Sequence, residues 1–190
     1  MSKNDLVKTR IRKAWLVSSK HYPGEAHIYY AENADKAKSR AYQSVDTNPN
    51  IKIIDFVAKR ASEKDQILPT IASFKNVIDG LSFEEMDIIT HAYSVNDIAP
   101  ELAGNRNWFF GDIDNPALKR IVSIGLMKRL NMNVENNLAY FMLTENGINI
   151  ALALSPLYKY EPMPHYVLKN EREAAQANQE NSQMIGNPSA

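Results

Sequence analysis

Between Lys119 and Gly147 the chain reads Lys-Arg-Ile-Val-Ser-Ile-Gly-Leu-Met-Lys-Arg-Leu, then an asparagine-rich stretch, then Ala-Tyr-Phe-Met-Leu-Thr-Glu-Asn-Gly. Leu118, Ile121, Val122 and Leu126 recur at helical spacing, so they form a buried stripe and leave Lys119, Arg120, Ser123 and Met127 toward the outside. Asp114 or Asn115 supplies the N-cap, and Pro116 sits where its missing N–H costs nothing. Gly125 permits a tight exit. Met127 to Leu130 and Leu138 to Leu143 then read as the strands of a hairpin, and Thr144 opens a helix that runs through Leu154. Few folds accommodate helix, tight exit, hairpin and helix within so short a span.

The other strong local signal lies upstream. Ser82 and Glu85 form a capping box, and Leu81 and Met86 hold the flanking positions of a hydrophobic staple, so a helix starts at Phe83 and runs to about Ser94. Ile67 to Asp79 reads as a connecting helix that begins after Pro69 and stops at Gly80. A short helix is expected near Ile98 to Leu102, with Trp108 and Phe109 as core plugs.

The amino-terminal part has a different pattern. Lys13 to Ser18 and His27 to Ala31 are rich in β-branched and aromatic residues and flank Tyr22-Pro23-Gly24, which predicts a paired hairpin. Asn33 caps a helix with Ala34, Ala37, Ala41, Tyr42 and Val45 at apolar positions, and Ile51 to Ala61 returns as a strand. The chain is therefore expected to be α+β: a basic β-β-α-β domain over residues 1–65, a second domain over 70–154 built on the helix–hairpin–helix segment, and a tail over 155–190. In that tail, Ser155 to Val167 contains three prolines and three tyrosines and reads as extended, either strapping back across the domains or presenting itself to a partner. Leu168 to Glu180 could form a short polar helix, and Asn181 to Ala190 has the composition of disorder.

Charge is balanced overall, with 22 basic and 22 acidic residues, so the whole chain has no net field to draw it to nucleic acid or a membrane. The halves differ: Met1 to Lys75 holds 14 basic and 8 acidic residues, and Asn76 to Ala190 holds 8 basic and 14 acidic. There is no cysteine, which excludes disulfides, thiolate metal sites and cysteine nucleophiles. No apolar run approaches the ~18 residues of a membrane span, and no signal core opens the chain, so a cytoplasmic protein is expected. The four histidines stand singly, the glycines form no phosphate loop, and no nucleophile elbow occurs. The chain reads as a non-enzyme without cofactor or metal.

Ile124 to Arg129, followed by Tyr140 to Gly147, resembles the recognition-helix exit, wing and post-wing helix of MarR-type winged-helix regulators over about residues 117–154. The chain as a whole is similar in style to small uncharacterised phage and prophage proteins that join a basic β-β-α-β unit to such a module. The resemblance implies a nucleic-acid-associated regulatory protein, with a homodimer as a reasonable form. Lys119, Arg120, Ser123 and Arg106 would then contact nucleic acid beside Asn133, Asn136 and Asn137 of the wing, with Lys36, Lys38, Lys59 and Arg60 extending the track. Asn131 to Asn137 contains no Arg or Lys and includes Glu135, which motivates the alternative of a phage-type protein-binding module that docks on a host or virion protein and uses the winged helix as scaffold.

Overall fold

The computed structural model describes residues 10–44, 50–130 and 137–185, the side chains only as far as Glu180. Its fold is mixed α and β, with three small sheets among the described residues.

In the amino-terminal part, β2 (Ala14–Ser19) pairs on one side with β3 (Tyr22–Tyr30) and on the other with β4 (Phe56–Arg60), all antiparallel. The helix α1 (Ala34–Ser44) covers one face of this sheet. Asn33 caps it as expected, accepting the N–H of Lys36 at 2.9 Å. Because side chains alternate along a strand, Val17 and Phe56 point toward α1 and join Ala31, Ala37, Ala41 and Ile51 in a small core, with Trp15, Tyr29 and Ala58 at its margin. Leu16, Ile28 and Val57 lie on the other face and are exposed. The expected strand over 51–61 is shorter than predicted: Ile53–Asp55 is a 3-10 turn whose Asp55 carboxylate accepts the N–H of Lys52 at 2.8 Å, and pairing begins only at Phe56.

The larger core gathers α3 (Phe83–Ala92), α4 (Pro116–Ser123), α5 (Glu145–Ala153) and a sheet of order β6-β8-β7, made of β6 (Phe109–Asp112), β7 (Met127–Arg129) and β8 (Leu138–Leu143). The capping signals of the three helices are used. Ser82 and Glu85 close the capping box, with Ser82 N–H to Glu85 Oε2 at 2.7 Å. Asn115 caps α4 ahead of Pro116, and Thr144 caps α5. Met127, expected outside, is buried because the turn at Gly125 (φ +76°) rotates the chain into the sheet. Gly147 has its own reason: a Cβ there would collide with the backbone carbonyl of Leu126, so α5 can lie against the start of β7 only if this position is glycine.

Two expectations fail. Ile67 to Asp79 is not one helix; it contains β5 (Gln66–Leu68), a 3-10 turn over Ile71–Phe74 capped by Thr70, and the short α2 (Lys75–Asp79). The strand β5 forms because it finds a partner far away in sequence, β1 (Arg10–Arg12), in register Ile11 to Ile67. Ser155 to Val167 is not extended to its end: the helix α6 (Pro164–Ile185) begins inside it, takes in the expected helix over Leu168 to Glu180 and continues to Ile185. It is anchored by Met163, His165 and Leu168 against the larger core, and by Arg172, whose guanidinium donates to the carbonyls of Leu81 (2.9 Å) and Ile78 (3.0 Å).

The amino- and carboxy-terminal parts meet through two arginines of β1. Arg10 donates to the carbonyls of Ala153 (2.8 Å) and Leu152 at the end of α5, to that of Ser155 just beyond it, and to that of Pro69 (3.2 Å). Arg12, only 1 % exposed, donates to the carbonyls of Leu157 and Pro156 and to Gln66 Oε1, each at 2.7 Å. Burial lowers the pKa of both groups from the usual arginine value. Each nonetheless stays cationic, and its charge is met by neutral oxygens rather than a carboxylate. Replacing Arg12 by Met keeps apolar volume and strands those acceptors, so urea unfolding should show a loss of about 3 kcal/mol.

His165 lies fully buried at the start of α6, with neither ring nitrogen hydrogen-bonded among the described residues and Asp87 Oδ1 at 3.8 Å. Burial lowers its pKa from the ordinary histidine value, with the Asp87 charge acting in the opposite sense. The folded chain therefore holds this imidazole neutral while the unfolded chain takes up the proton. Stability present above the ordinary histidine range is lost as pH falls through that range toward the lower folded value. Between about pH 7.5 and about pH 5, the thermal midpoint of the wild type should fall more steeply than that of His165→Leu. Parallel curves would assign the acid sensitivity to other groups.

Candidate functional site

Most of the cations expected to face nucleic acid have intramolecular partners. Arg120, on the exposed side of α4, pairs with Oε2 of Glu85 and donates to the carbonyl of Gly80 at 2.8 Å. Glu85 is the buried residue of the capping box, so one carboxylate closes the start of α3 and holds α4 against it. Lys119 pairs with Asp114 at 2.7 Å. Ser123 donates to the carbonyl of Arg120 in its own helix. Arg106 donates to the carbonyl of His91 and lies over the ring of Trp108 at 5.0 Å, while its buried Nε has no partner among the described residues.

The wing contributes one described asparagine. Asn137, at φ +63°, donates to Asp112 (3.1 Å) and Asp114 (2.7 Å), so the base of the hairpin is acidic. The hydrogen bond from Lys119 and, after it, that from Asn137 hold the Asp114 carboxyl below its ordinary pKa. Asn133 and Asn136 lie outside the described residues. In the amino-terminal part, Lys36 pairs with Glu32 (2.6 Å) and Lys38 with Asp35 (3.0 Å). Arg60 bonds to Asp65 and to the carbonyl of Ala14 (2.7 Å), and Lys59 is exposed on β4. The structure thus places the predicted residues in several separate local pairings.

What it does bring together was not expected from sequence. On the sheet β6-β8-β7, Phe109, Phe141 and Leu143 point into the core, and the alternate side chains Phe110, Tyr140 and Met142 point away from it. Phe110 stands opposite Tyr140 with ring centroids 4.8 Å apart, and Trp108 meets the same tyrosine edge-on at 5.5 Å. Trp108 is not a core plug: it is 43 % exposed, and Phe110 39 %. With Arg106 on Trp108 and Lys128 across from Met142, the open sheet face is an aromatic patch bordered by cations. The usable signal in the sequence was the alternation Trp108, Phe110 in a segment that pairs as a strand only with the distant β8.

Among the described residues no group of three acidic or histidine side chains could hold a metal ion, and no helix is long and apolar enough to cross a membrane. Around Arg120 the surface is mixed: a groove of about 430 Å³ beside it is lined by Phe74, Val77, Ile124, Leu126 and Ile150. Arg120 is therefore a structural clamp, and its removal leaves Glu85 buried with a single amide for company. Arg120→Ala should cost about 2 kcal/mol in denaturant unfolding, and Glu85→Gln in the same background should return part of that loss.

Comparison with protein-family models, with curated proteins and with solved structures finds no match.

Proposed function

We propose that the protein is a non-enzymatic protein-binding module that presents the open face of the sheet β6-β8-β7 to an acidic, partly apolar segment of a partner protein. The observation that carries this reading is the patch of Trp108, Phe110 and Tyr140 with Arg106 stacked at its edge. Tryptophan, tyrosine and arginine are the residues that dominate binding energy at protein interfaces, and large aromatic groups left half exposed gain most by being covered. Lys128 borders the patch, which favours carboxylates in the partner.

The order of α4, the β7–β8 hairpin and α5 supports the likeness to recognition helix, wing and post-wing helix, and the scaffold role follows from what its cations do. A duplex-reading helix needs donors free to reach phosphates and base edges. Here Lys119 and Arg120 hold carboxylates of their own chain, and Asp112 and Asp114 stand at the hairpin base. Nucleic-acid association is the second reading. It is favoured by Lys128 and Arg129, exposed on β7 without an ion pair among the described residues, and by the capacity of exposed aromatic rings to stack on single-stranded bases.

A photoreactive benzoylphenylalanine at Phe110, irradiated in the protein's own cells, separates the two. A protein adduct that resists nuclease, falls severalfold with Trp108→Ala and weakens with Lys128→Glu is the expected result. An adduct removed by nuclease assigns the face to nucleic acid, and no adduct at all removes the reading.

A further inference from the structure

Seven described arginines besides the exposed Arg129 can be compared by what their guanidinium groups hold. Arg10, Arg12, Arg60, Arg106, Arg120 and Arg172 all donate to oxygen atoms of the chain. Arg40 does not. It lies on α1, one turn beyond Lys36, partly buried, with its guanidinium 5.8 Å from the ring centroid of Tyr158 and no hydrogen bond or ion pair among the described residues. Burial lowers its pKa, opposed by the charges of Glu101 and Glu161. A partly desolvated guanidinium with no acceptor from its own chain among the described residues is suited to an incoming oxyanion.

Arg40 lines a cleft. Two cavities of about 360 and 250 Å³ share Arg40, Gln43 and Lys159, a size suited to a small ligand. The wall opposite α1 is a constructed turn. Glu161 accepts the N–H groups of Leu157 (2.9 Å) and Tyr158 (3.1 Å), and Tyr160 donates its N–H to the carbonyl of Asp97 at 2.6 Å. Tyr160 is held at φ +66°, a left-handed conformation that a bulky residue adopts at a cost, and its ring is 69 % exposed at the lip of the cleft. Lys159 sits between the cavities, its ammonium 4.8 Å from that ring and in no ion pair among the described residues.

None of the carboxylates nearby hydrogen-bonds or ion-pairs with these two cations among the described residues, although the charges of Glu101 and Glu161 act on Arg40 through space. Glu32 is held by Lys36, and Glu161 is held by the two amides of the turn. Glu101 lines the second cavity without a hydrogen bond or ion pair among the described residues, and is an acceptor for hydroxyl donors. We propose that this cleft binds a phosphate monoester joined to a sugar and a flat ring, a nucleoside monophosphate either free or at the 5′ end of a nucleic-acid strand. The guanidinium fork of Arg40 and the ammonium of Lys159 take the phosphate dianion, Glu101 accepts from a sugar hydroxyl, and Tyr160 stacks on the base. The site is separate from the aromatic sheet face and does not depend on what that face binds.

Calorimetric titration of the full chain at low salt, with the four nucleoside 5′-monophosphates, a nucleoside and inorganic phosphate, tests this. At least one monophosphate should bind at one per chain, about tenfold or more tighter than either the nucleoside or phosphate alone. Arg40→Gln and, separately, Lys159→Gln should each weaken it about tenfold with unchanged circular dichroism. Tyr160→Gly gives the left-handed position to the residue that adopts it freely, so it should keep or raise the thermal midpoint while reducing affinity to that of phosphate. A 5′-phosphorylated oligonucleotide that binds tighter than the mononucleotide, with its 5′-hydroxyl counterpart silent, assigns the ligand to a strand end. Otherwise the free nucleotide is the ligand. No saturable binding of any monophosphate up to about 10 mM, or binding unaffected by both Arg40→Gln and Lys159→Gln, overturns the proposal.

Discussion

Two guanidinium groups, one buried and one half-buried, hold this molecule together. Arg10 and Arg12, three-residue β1's two ends, reach from the first described strand to the end of α5 and to the turn beyond it. Helix ends leave carbonyls that need donors, and those of α5 are buried under β1 where water cannot supply them. A planar five-donor group does what no single amide could, satisfying several carbonyls of α5 and the following chain at once. Charge is retained at a desolvation cost, offset by the helix end's negative partial charge at Arg10 and by short charge-assisted contacts at Arg12. Tyr158 completes the joint, its hydroxyl accepting the N–H of Lys13 at 3.2 Å and donating to the carbonyl of Ile11 at 3.3 Å.

This joint determines where the cleft beside Arg40 can be. Once Tyr158 is fixed against β1, the following residues must turn at Lys159 and Tyr160 to bring Met163 and His165 into the larger core. The turn passes beside α1, where the ring of Tyr158 faces the Arg40 guanidinium and Tyr160 stands exposed at the lip of the cleft. The left-handed backbone at Tyr160 is thus over-determined from both sides, by the buried Tyr158 before it and by the Met163 anchor after it. Strain of this kind persists only where the surroundings impose it.

How far the sequence reported this structure depends on the range of each interaction. Ser82 with Glu85, Asn115 with Leu118, and Thr144 with Gly147 are contacts within three residues, and each was legible because the cap and the N–H it accepts lie together in the chain. The strand β8 was legible from alternation and turn residues alone. The strands β1, β5 and β6 were not, because each is short and has no signal apart from its partner, and those partners lie tens of residues away. Trp108 was misplaced for the same reason: without knowing that Phe109 and Phe110 pair with Phe141 and Tyr140, nothing in the chain says which of the neighbouring rings faces the core. The role of Arg10 and Arg12 was not legible at all, since burial of an arginine on carbonyl oxygens leaves no mark in local sequence.

That last point changes what the charge asymmetry of the chain means. The excess of basic residues before Asn76 suggests a positive surface, yet Arg10 and Arg12 are turned inward, Arg60 holds Asp65, and Lys36 and Lys38 hold carboxylates on or beside their own helix. Formal charge counts cations and says nothing of whether their donors are already engaged. Exposed pairs such as Lys36 with Glu32 are worth little and can exchange partners, but exchange leaves a carboxylate behind to repel the incoming anion. The field that a ligand meets is therefore set by the cations with no partner, and position decides their use. On β7 they border aromatic rings at a broad open face, which suits a macromolecule. At Arg40 and Lys159 they converge across a concave wall, where desolvation strengthens the attraction for one small anion and the walls limit what can accompany it.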